Sequence, residues 1–126
     1  MNVNKVILIG FIAKDPEVKE IAGKKVATLS LPTSRRYQNS SGAWEEETQW
    51  HTVECWGKTA EIVEKYVKKG SQLFVEGELR YRTWESADGR KNHATNILAN
   101  RIEMLSSKSD NSTAYRVPED NDLPTE

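Results

Sequence analysis

The chain of 126 residues contains a single cysteine, two histidines and no long hydrophobic run. Because Cys55 has no second cysteine to pair with, an intrachain disulfide is excluded, which fits a reducing compartment. One cysteine and two histidines do not supply a plausible set of zinc ligands either. The longest apolar stretch, residues 6–9, resumes at Phe11 and is far too short to span a bilayer. The N-terminus lacks the features of a signal peptide, so we expect a cytoplasmic protein with no membrane partner.

The chain also lacks a strong excess of charge, since its formal net charge is −1. The charges are unevenly placed: residues 1–105 carry 16 basic against 14 acidic side chains, and residues 106–126 carry 2 against 5. The second segment is poor in apolar residues and contains two prolines. We therefore predict a folded domain at residues 1–105 and a disordered, flexible acidic tail at residues 106–126.

Hydrophobic periodicity divides the first 105 residues into strands and one helix. The predicted strands cover residues 3–12, 26–31, 48–56, 71–84 and 93–105, and the predicted helix covers residues 58–69. Three strands, one helix and two strands follow each other in the order of the OB-fold, a small, partly open barrel. We therefore predict an all-β, five-stranded OB-fold barrel with its helix between strands 3 and 4. Gly77, in mid-strand, predicts a bend or bulge, and Phe11, Tyr66 and Tyr81 are expected in the core.

Three tryptophans stand on polar sides of predicted strands. Trp50 and Trp56 share one side of their strand with Thr52 and Glu54, which is not a core pattern. Trp84 follows two arginines at alternate positions along its own strand. Indoles mixed with arginines are typical of surfaces on which nucleobases stack. The pattern therefore favours nucleic-acid binding over ordinary core packing.

Several short motifs give the chain a resemblance to a known family. In order, they are Asn4-Lys5-Val6-Ile7-Leu8-Ile9-Gly10, Asp15-Pro16-Glu17, Glu47-Thr48-Gln49-Trp50-His51, Trp56-Gly57-Lys58, Lys69-Gly70-Ser71 and Val75-Glu76-Gly77. With this order and spacing, the chain resembles the bacterial single-stranded DNA-binding proteins of the homotetrameric OB-fold type over about residues 2–105. The resemblance implies sequence-independent binding of single-stranded DNA in replication, recombination and repair, near the nucleoid, by a homotetramer.

The resemblance also implies roles for individual residues. The bases are expected to stack on Tyr37, Trp50, Trp56, Phe74 and Trp84. The phosphates are expected to contact Lys5, Arg35, Arg36, Lys58, Arg80, Arg82, Arg90 and Lys91. The two arginines next to Tyr37 (Arg35 and Arg36) and the two near Trp84 (Arg80 and Arg82) are the better supported. His51 is expected at a subunit contact. Trp44 is either a further contact or a packed side chain.

The C-terminal tail resembles the acidic tails of this family in part. Asp120 and Asp122 belong to its acidic run, and Leu123 and Pro124 form the expected apolar step, but the terminal phenylalanine is absent and the chain ends in Thr125-Glu126. This departure weakens the expectation that replication and repair proteins bind the tail. Competition of the tail with DNA and a merely solubilising role both remain open.

Two other classes of function are less well supported. One is another OB-fold binder: a primosome accessory protein, a protein-interaction module or a sugar-binding protein. The other is an enzyme such as a nuclease, which would need clustered carboxylates around a metal. The obvious cluster, Glu45-Glu46-Glu47, falls in a predicted polar loop at residues 38–47. We therefore expect no enzymatic activity, no metal and no cofactor.

Overall fold

The computed structural model describes residues 1–106, and this part of the chain forms six strands and one helix. The strands are β1 (Val6–Phe11), β2 (Glu17–Ile21), β3 (Lys24–Gln38), β4 (Trp44–Trp56), β5 (Gln72–Glu85) and β6 (Lys91–Ser106), and the helix α1 (Lys58–Tyr66) lies between β4 and β5. All the strands belong to one sheet, in the order β1-β5-β6-β4-β3-β2. The predicted all-β architecture with one helix is confirmed.

The sheet curls so that its two ends approach each other. Among residues 1–106, β1 pairs with β5 and with no other strand, yet Gly10 in β1 lies so close to β3 that a Cβ atom there would be 2.6 Å from the carbonyl oxygen of Pro32. β4 and β6 meet in parallel at Val53 and Ile97, while the other strand pairs are antiparallel. The result is a partly open barrel, as expected of an OB-fold.

One hydrophobic core fills the barrel. It contains Ile12, Ala27, Leu29, Leu31, Val53, Cys55, Ala60, Val63, Val67, Leu73, Val75, Ile97 and Ala99. Burial raises the pKa of the Cys55 thiol to about 12, so the side chain stays neutral and behaves as a small apolar residue. The inward side of β4 is therefore occupied, which leaves its other side for the surface.

The sequence predicted five strands, and β2 is an additional one, so the helix follows the fourth strand and not the third. The end of the helix also differs from the sequence expectation. β2 is short, and only Val18 is partly buried, so its sequence shows too little alternation to be recognised. α1 ends at Tyr66, three residues earlier than predicted, because Val67 is extended and turns into the core. The hydroxyl of Ser71 then accepts a hydrogen bond from the backbone N–H of Lys68 at 3.1 Å, which stabilises the turn.

Gly77 marks the point where β5 leaves the core. Leu73, Val75 and Gly77 face inward, and the register of β5 against β6 shifts at Gly77, as the sequence predicted. A Cβ atom at Gly77 would overlap the carbonyl oxygen of Leu98. Beyond this bulge the β5–β6 hairpin extends past the barrel as an arm, so Tyr81 is exposed and its predicted core position is wrong.

The predicted core positions of Phe11 and Tyr66 are also wrong. β1 alternates between partly buried and exposed residues, because the barrel covers only one of its sides. Ile7, Ile9 and Phe11 form an exposed apolar strip on the other side. Tyr66 is exposed as well, because it lies on the side of α1 that faces away from the barrel.

Candidate nucleic-acid interface

The outer side of β4 carries two indoles. Alternation along the strand directs Val53 and Cys55 into the core and turns Trp50, Glu54 and Trp56 outward. Trp50 and Trp56 are 63% and 39% exposed. The predicted orientation of both rings is therefore confirmed, and each presents an aromatic surface to solvent.

The outer side of β5 continues this surface beyond Gly77. Arg80, Arg82 and Trp84 point outward at alternate positions, and Trp84 is 46% exposed. The guanidinium of Arg82 lies 5.2 Å from the ring centroid of Trp84, a cation–π contact that orients both side chains. We name Trp50, Trp56, Arg80, Arg82 and Trp84 together the indole face. β6 lies between the two strands that carry it.

The predicted turn at the end of this arm is present. Ser86 and Arg90 are joined by a backbone hydrogen bond of 2.9 Å, and Asp88 accepts one from the N–H of Arg90 at 3.1 Å. Gly89 adopts a φ of 84°, which favours glycine. Arg90 and Lys91 therefore lie at the tip of the arm, next to the indole face.

The β3–β4 hairpin is longer than the sequence predicted, and this corrects the expected loop at residues 38–47. Only residues 39–43 form the turn, where Asn39 Oδ1 accepts the N–H groups of Ser41 and Ala43. The acidic cluster at residues 45–47 belongs to β4. Pairs across the two strands stabilise this polar region, as between Arg35 and Glu47 at 3.0 Å. The alternation of apolar and polar residues along a sequence does not reveal such pairs.

Tyr37 is held by its hydroxyl on this hairpin. The O–H donates to Glu45 Oε1 at 2.9 Å, and the guanidinium of Arg35 lies 4.9 Å from the ring centroid. Hydrogen bonds from Asn39 and Tyr37 lower the pKa of Glu45, and the bond to Glu45 raises the pKa of Tyr37. The ring is half-buried and fixed in place. On the same hairpin, Arg36 lies over Trp44 at 5.3 Å.

Phe74 lies on the part of β5 that precedes the bulge at Gly77. It stands opposite Ile9 of β1, at the barrel end of β5, and the guanidinium of Arg101 lies 5.4 Å from its ring centroid. Sequence reasoning missed Arg101, because only the register shift at the bulge places it opposite Glu76. Phe74 is partly buried and lies on the side of β5 that faces away from Leu73 and Val75.

Half of the cations expected at phosphates are already paired with carboxylates. Ion pairs join Lys5 to Glu76 at 2.6 Å, Arg35 to Glu47 at 3.0 Å, Arg80 to Glu78 at 2.8 Å and Arg90 to Asp88 at 3.7 Å. Within residues 1–106, Arg36, Lys58, Arg82 and Lys91 have no carboxylate within ion-pair distance. A phosphate would therefore meet a competing carboxylate at the first four positions and none at the others.

The remaining sequence predictions concern a histidine, the tail and a metal. His51 is half-buried, and its Nε2 lies 2.9 Å from the hydroxyl of Thr33. Asp120, Asp122, Leu123 and Pro124 lie outside the described residues.

In the described part of the chain, no three His, Cys, Asp or Glu side chains are grouped to hold a metal ion. None of its helices is long and apolar enough to cross a membrane.

Comparison with known proteins gives consistent results. A family model described as the single-strand binding protein family matches residues 3–105. The chain is 43% identical over 108 residues to "Single-stranded DNA-binding protein 1" of Chlorobaculum tepidum, and 38% identical over 109 residues to "Single-stranded DNA-binding protein" of Xylella fastidiosa. These alignments cover 84% and 86% of this chain, but 67% and 66% of the relatives, so the chain spans about two thirds of their length.

A solved structure shares the fold. The chain of a "Plasmodium falciparum SSB complex with ssDNA" aligns with a TM-score of 0.74 and 28% sequence identity. The alignment covers 83% of this chain and 95% of that chain.

Proposed function

The chain belongs to the single-strand binding protein family, and on this premise we propose that it binds single-stranded DNA with no required sequence. The proposal includes the processes in which such strands are exposed, namely replication, recombination and repair. It also includes the expected location at the nucleoid in the cytoplasm. The chain acts in this proposal as a binding protein and not as an enzyme.

The observation that carries the proposal is the exposure of three indoles beside arginines. Every nucleobase has a π-face, so a base can stack on Trp50, Trp56 or Trp84 whatever its identity. Each stacked base contributes roughly 1–3 kcal/mol. Tyr37 and Phe74 remain proposed as further stacking positions, the first on the β3–β4 hairpin and the second beside β1.

The cations on the same surfaces are proposed to bind the phosphates. Arg36, Arg82 and Lys91 carry charges without a carboxylate partner among residues 1–106, and Lys58 lies at the first turn of α1. Lys5, Arg35, Arg80 and Arg90 each have a carboxylate partner that competes with the phosphate, so they contribute less. Each neutralised phosphate releases condensed cations, so affinity should fall as salt rises.

We further propose that the chain forms a homotetramer. Support comes from the apolar strip of Ile7, Ile9 and Phe11, which is exposed on a strand at one end of the sheet. Exposed edges of this kind offer both unpaired backbone groups and apolar surface to a second copy. His51 is kept as a proposed subunit contact.

The proposed organisation assigns DNA binding to residues 1–105 and an auxiliary role to residues 106–126. In that role, the tail's carboxylates compete with DNA for the cations of the barrel, or bind replication and repair proteins. The acidic run that contains Asp120 and Asp122 supports the first alternative. Removal of residues 106–126 should then raise affinity for DNA at low salt.

A titration of intrinsic tryptophan fluorescence with oligo-dT, at two salt concentrations, tests the function directly. We expect strong quenching, because stacked bases contact the indoles, and weaker binding at the higher salt. A double-stranded oligonucleotide of the same length is the control and should quench much less. Unchanged emission with oligo-dT would refute the proposal.

A further inference from the structure

A cavity of about 350 Å³ opens on the indole face between β4, β6 and β5. Its walls include Glu54, Trp56, Arg80, Arg82 and Asn96. This volume exceeds that of a single nucleobase and lies at the lower end of the range for small-molecule pockets. The cavity therefore has room for one base beside the Trp56 indole.

The floor of the cavity holds a fixed carboxylate. Asn96 is only 8% exposed, and its Nδ2 donates a hydrogen bond to Glu54 Oε2 at 3.1 Å. Within residues 1–106, the second oxygen of Glu54 and the side-chain oxygen of Asn96 have no hydrogen-bond partner. The floor thus presents hydrogen-bond acceptors in a position that the strands determine.

Acceptors of this kind distinguish nucleobases by their exocyclic groups. A carboxylate accepts a hydrogen bond from the N4 amine of cytosine, whereas thymine and uracil carry the acceptor O4 at the same ring position. When two acceptors face each other they repel, and both lose water without gaining a hydrogen-bond partner, which costs free energy. Stacking alone would not make this distinction.

The cations at the rim make the carboxylate compatible with DNA. Arg80 is paired through its Nε with Glu78, and Arg82 has no carboxylate partner in the described part of the chain. A phosphate that follows the bound base would meet these guanidinium groups before it approached Glu54. The rim therefore compensates the negative charge of the floor.

From this arrangement, we propose that the cavity binds one nucleobase through its exocyclic amine, with Glu54 as the acceptor and Trp56 as the stacking surface. The inference rests on the proposed function and adds a bias for cytosine over uracil and thymine to an otherwise sequence-tolerant site. Glu54 is then the residue that determines this bias.

The test compares oligo-dC with oligo-dU of equal length, since these bases differ only in the amine, O4 and the N3 proton. Affinities are measured by the anisotropy of labelled oligonucleotides at slightly alkaline pH, for the full chain and for Glu54→Gln. We expect the wild-type chain to bind oligo-dC more tightly, and the dC-to-dU affinity ratio to fall about fivefold in the variant, as the loss of one such hydrogen bond implies. The amide of glutamine can still accept from Asn96, so the variant should fold.

Glu46→Gln is the matched control, because Glu46 lies on the same side of β4, roughly 26 Å away at ~3.3 Å per residue. It removes the same charge and should leave the ratio unchanged. A ratio that is equal in wild type and Glu54→Gln would overturn the inference but not the function, which fails only if neither oligonucleotide binds. If Glu54→Gln does not fold, the wild-type chain is tested with oligomers of 2-pyrimidinone, a base that lacks the exocyclic amine of cytosine. If the wild-type chain binds these oligomers as tightly as oligo-dC, the inference is overturned.

Discussion

Two exposed surfaces of the barrel differ in what surrounds their apolar side chains. On the apolar strip of β1, Ile7 and Ile9 are 57% and 50% exposed, and the carboxylate opposite Ile7, Glu76, is paired with Lys5 and Arg101. On the indole face, exposed rings alternate with arginines and with Glu54. A surface of neutral apolar side chains suits a second apolar surface, whereas aromatic rings among charges suit a flat, polar and anionic ligand. The environment of an exposed apolar group thus indicates its partner better than its hydrophobicity does.

The largest expected effect concerns the apolar strip. Ile7→Glu combined with Ile9→Glu should dissociate the proposed homotetramer, because carboxylates buried at an interface without partners are strongly unfavourable. Light scattering after gel filtration measures the mass. Ile62→Glu, on the exposed surface of α1, is the control and should keep the oligomer. An unchanged mass in the double variant would show that the strip is not an interface.

A smaller effect is expected on the indole face. Trp50→Ala and Trp84→Ala should each weaken binding to labelled oligo-dT by roughly 1–3 kcal/mol, the contribution of one stacked base, with little change in melting temperature. Tyr66→Ala removes an exposed ring from α1 and should leave affinity unchanged. Equal losses in all three variants, or unfolding of the tryptophan variants, would contradict the distinction between the surfaces.

The cations of the indole face should have a still smaller effect. Arg82→Gln should reduce the slope of log affinity against log salt by about 0.7, the value for one phosphate on a single strand. Lys65→Gln, in the last turn of α1, serves as the comparison and should not alter the slope. If both variants changed the slope equally, the cations would act through net charge alone.

The smallest expected effect is at the edge of the apolar strip. The hydrogen bond from Lys5 lowers the pKa of Glu76, with Arg101 as a second cause. This pair therefore stabilises the fold above the ordinary glutamate pKa of 4.5, and the stabilisation is lost as pH falls through the lowered pKa. Lys5→Met should raise the pKa of Glu76 toward its ordinary value, measured by NMR of the side-chain carboxyl carbon. Lys14→Met is the control and should leave the pKa of Glu76 unchanged.

Apart from β2, the order of the elements was predictable from local pattern. Gly77, the turn at residues 88–89 and the outward orientation of Trp50 and Trp56 follow from alternation and glycine chemistry. Tyr81 was misplaced because alternation continues past the bulge, where the arm no longer has a core to face. Composition along a strand does not show where the neighbouring strands end.

Contacts between distant strands could not be predicted from the sequence. Arg101 reaches Phe74 because of a one-residue register shift, and Asn96 reaches Glu54 because β6 lies parallel to β4. The strand at residues 44–47 escaped prediction because pairs across the hairpin, such as Arg35 with Glu47, stabilise it. In each case the deciding partner lies on another strand, 12 or more residues away in the sequence.

The central claim is that outward-facing indoles on β4 and β5 stack on nucleobases. Incorporation of 5-fluorotryptophan gives one ¹⁹F NMR signal for each of the four tryptophans, assigned by single Trp→Phe variants. We predict that saturating oligo-dT shifts the signals of Trp50, Trp56 and Trp84, because a stacked base alters the ring's magnetic environment. If oligo-dT binds while these three signals stay where they are, the account is contradicted.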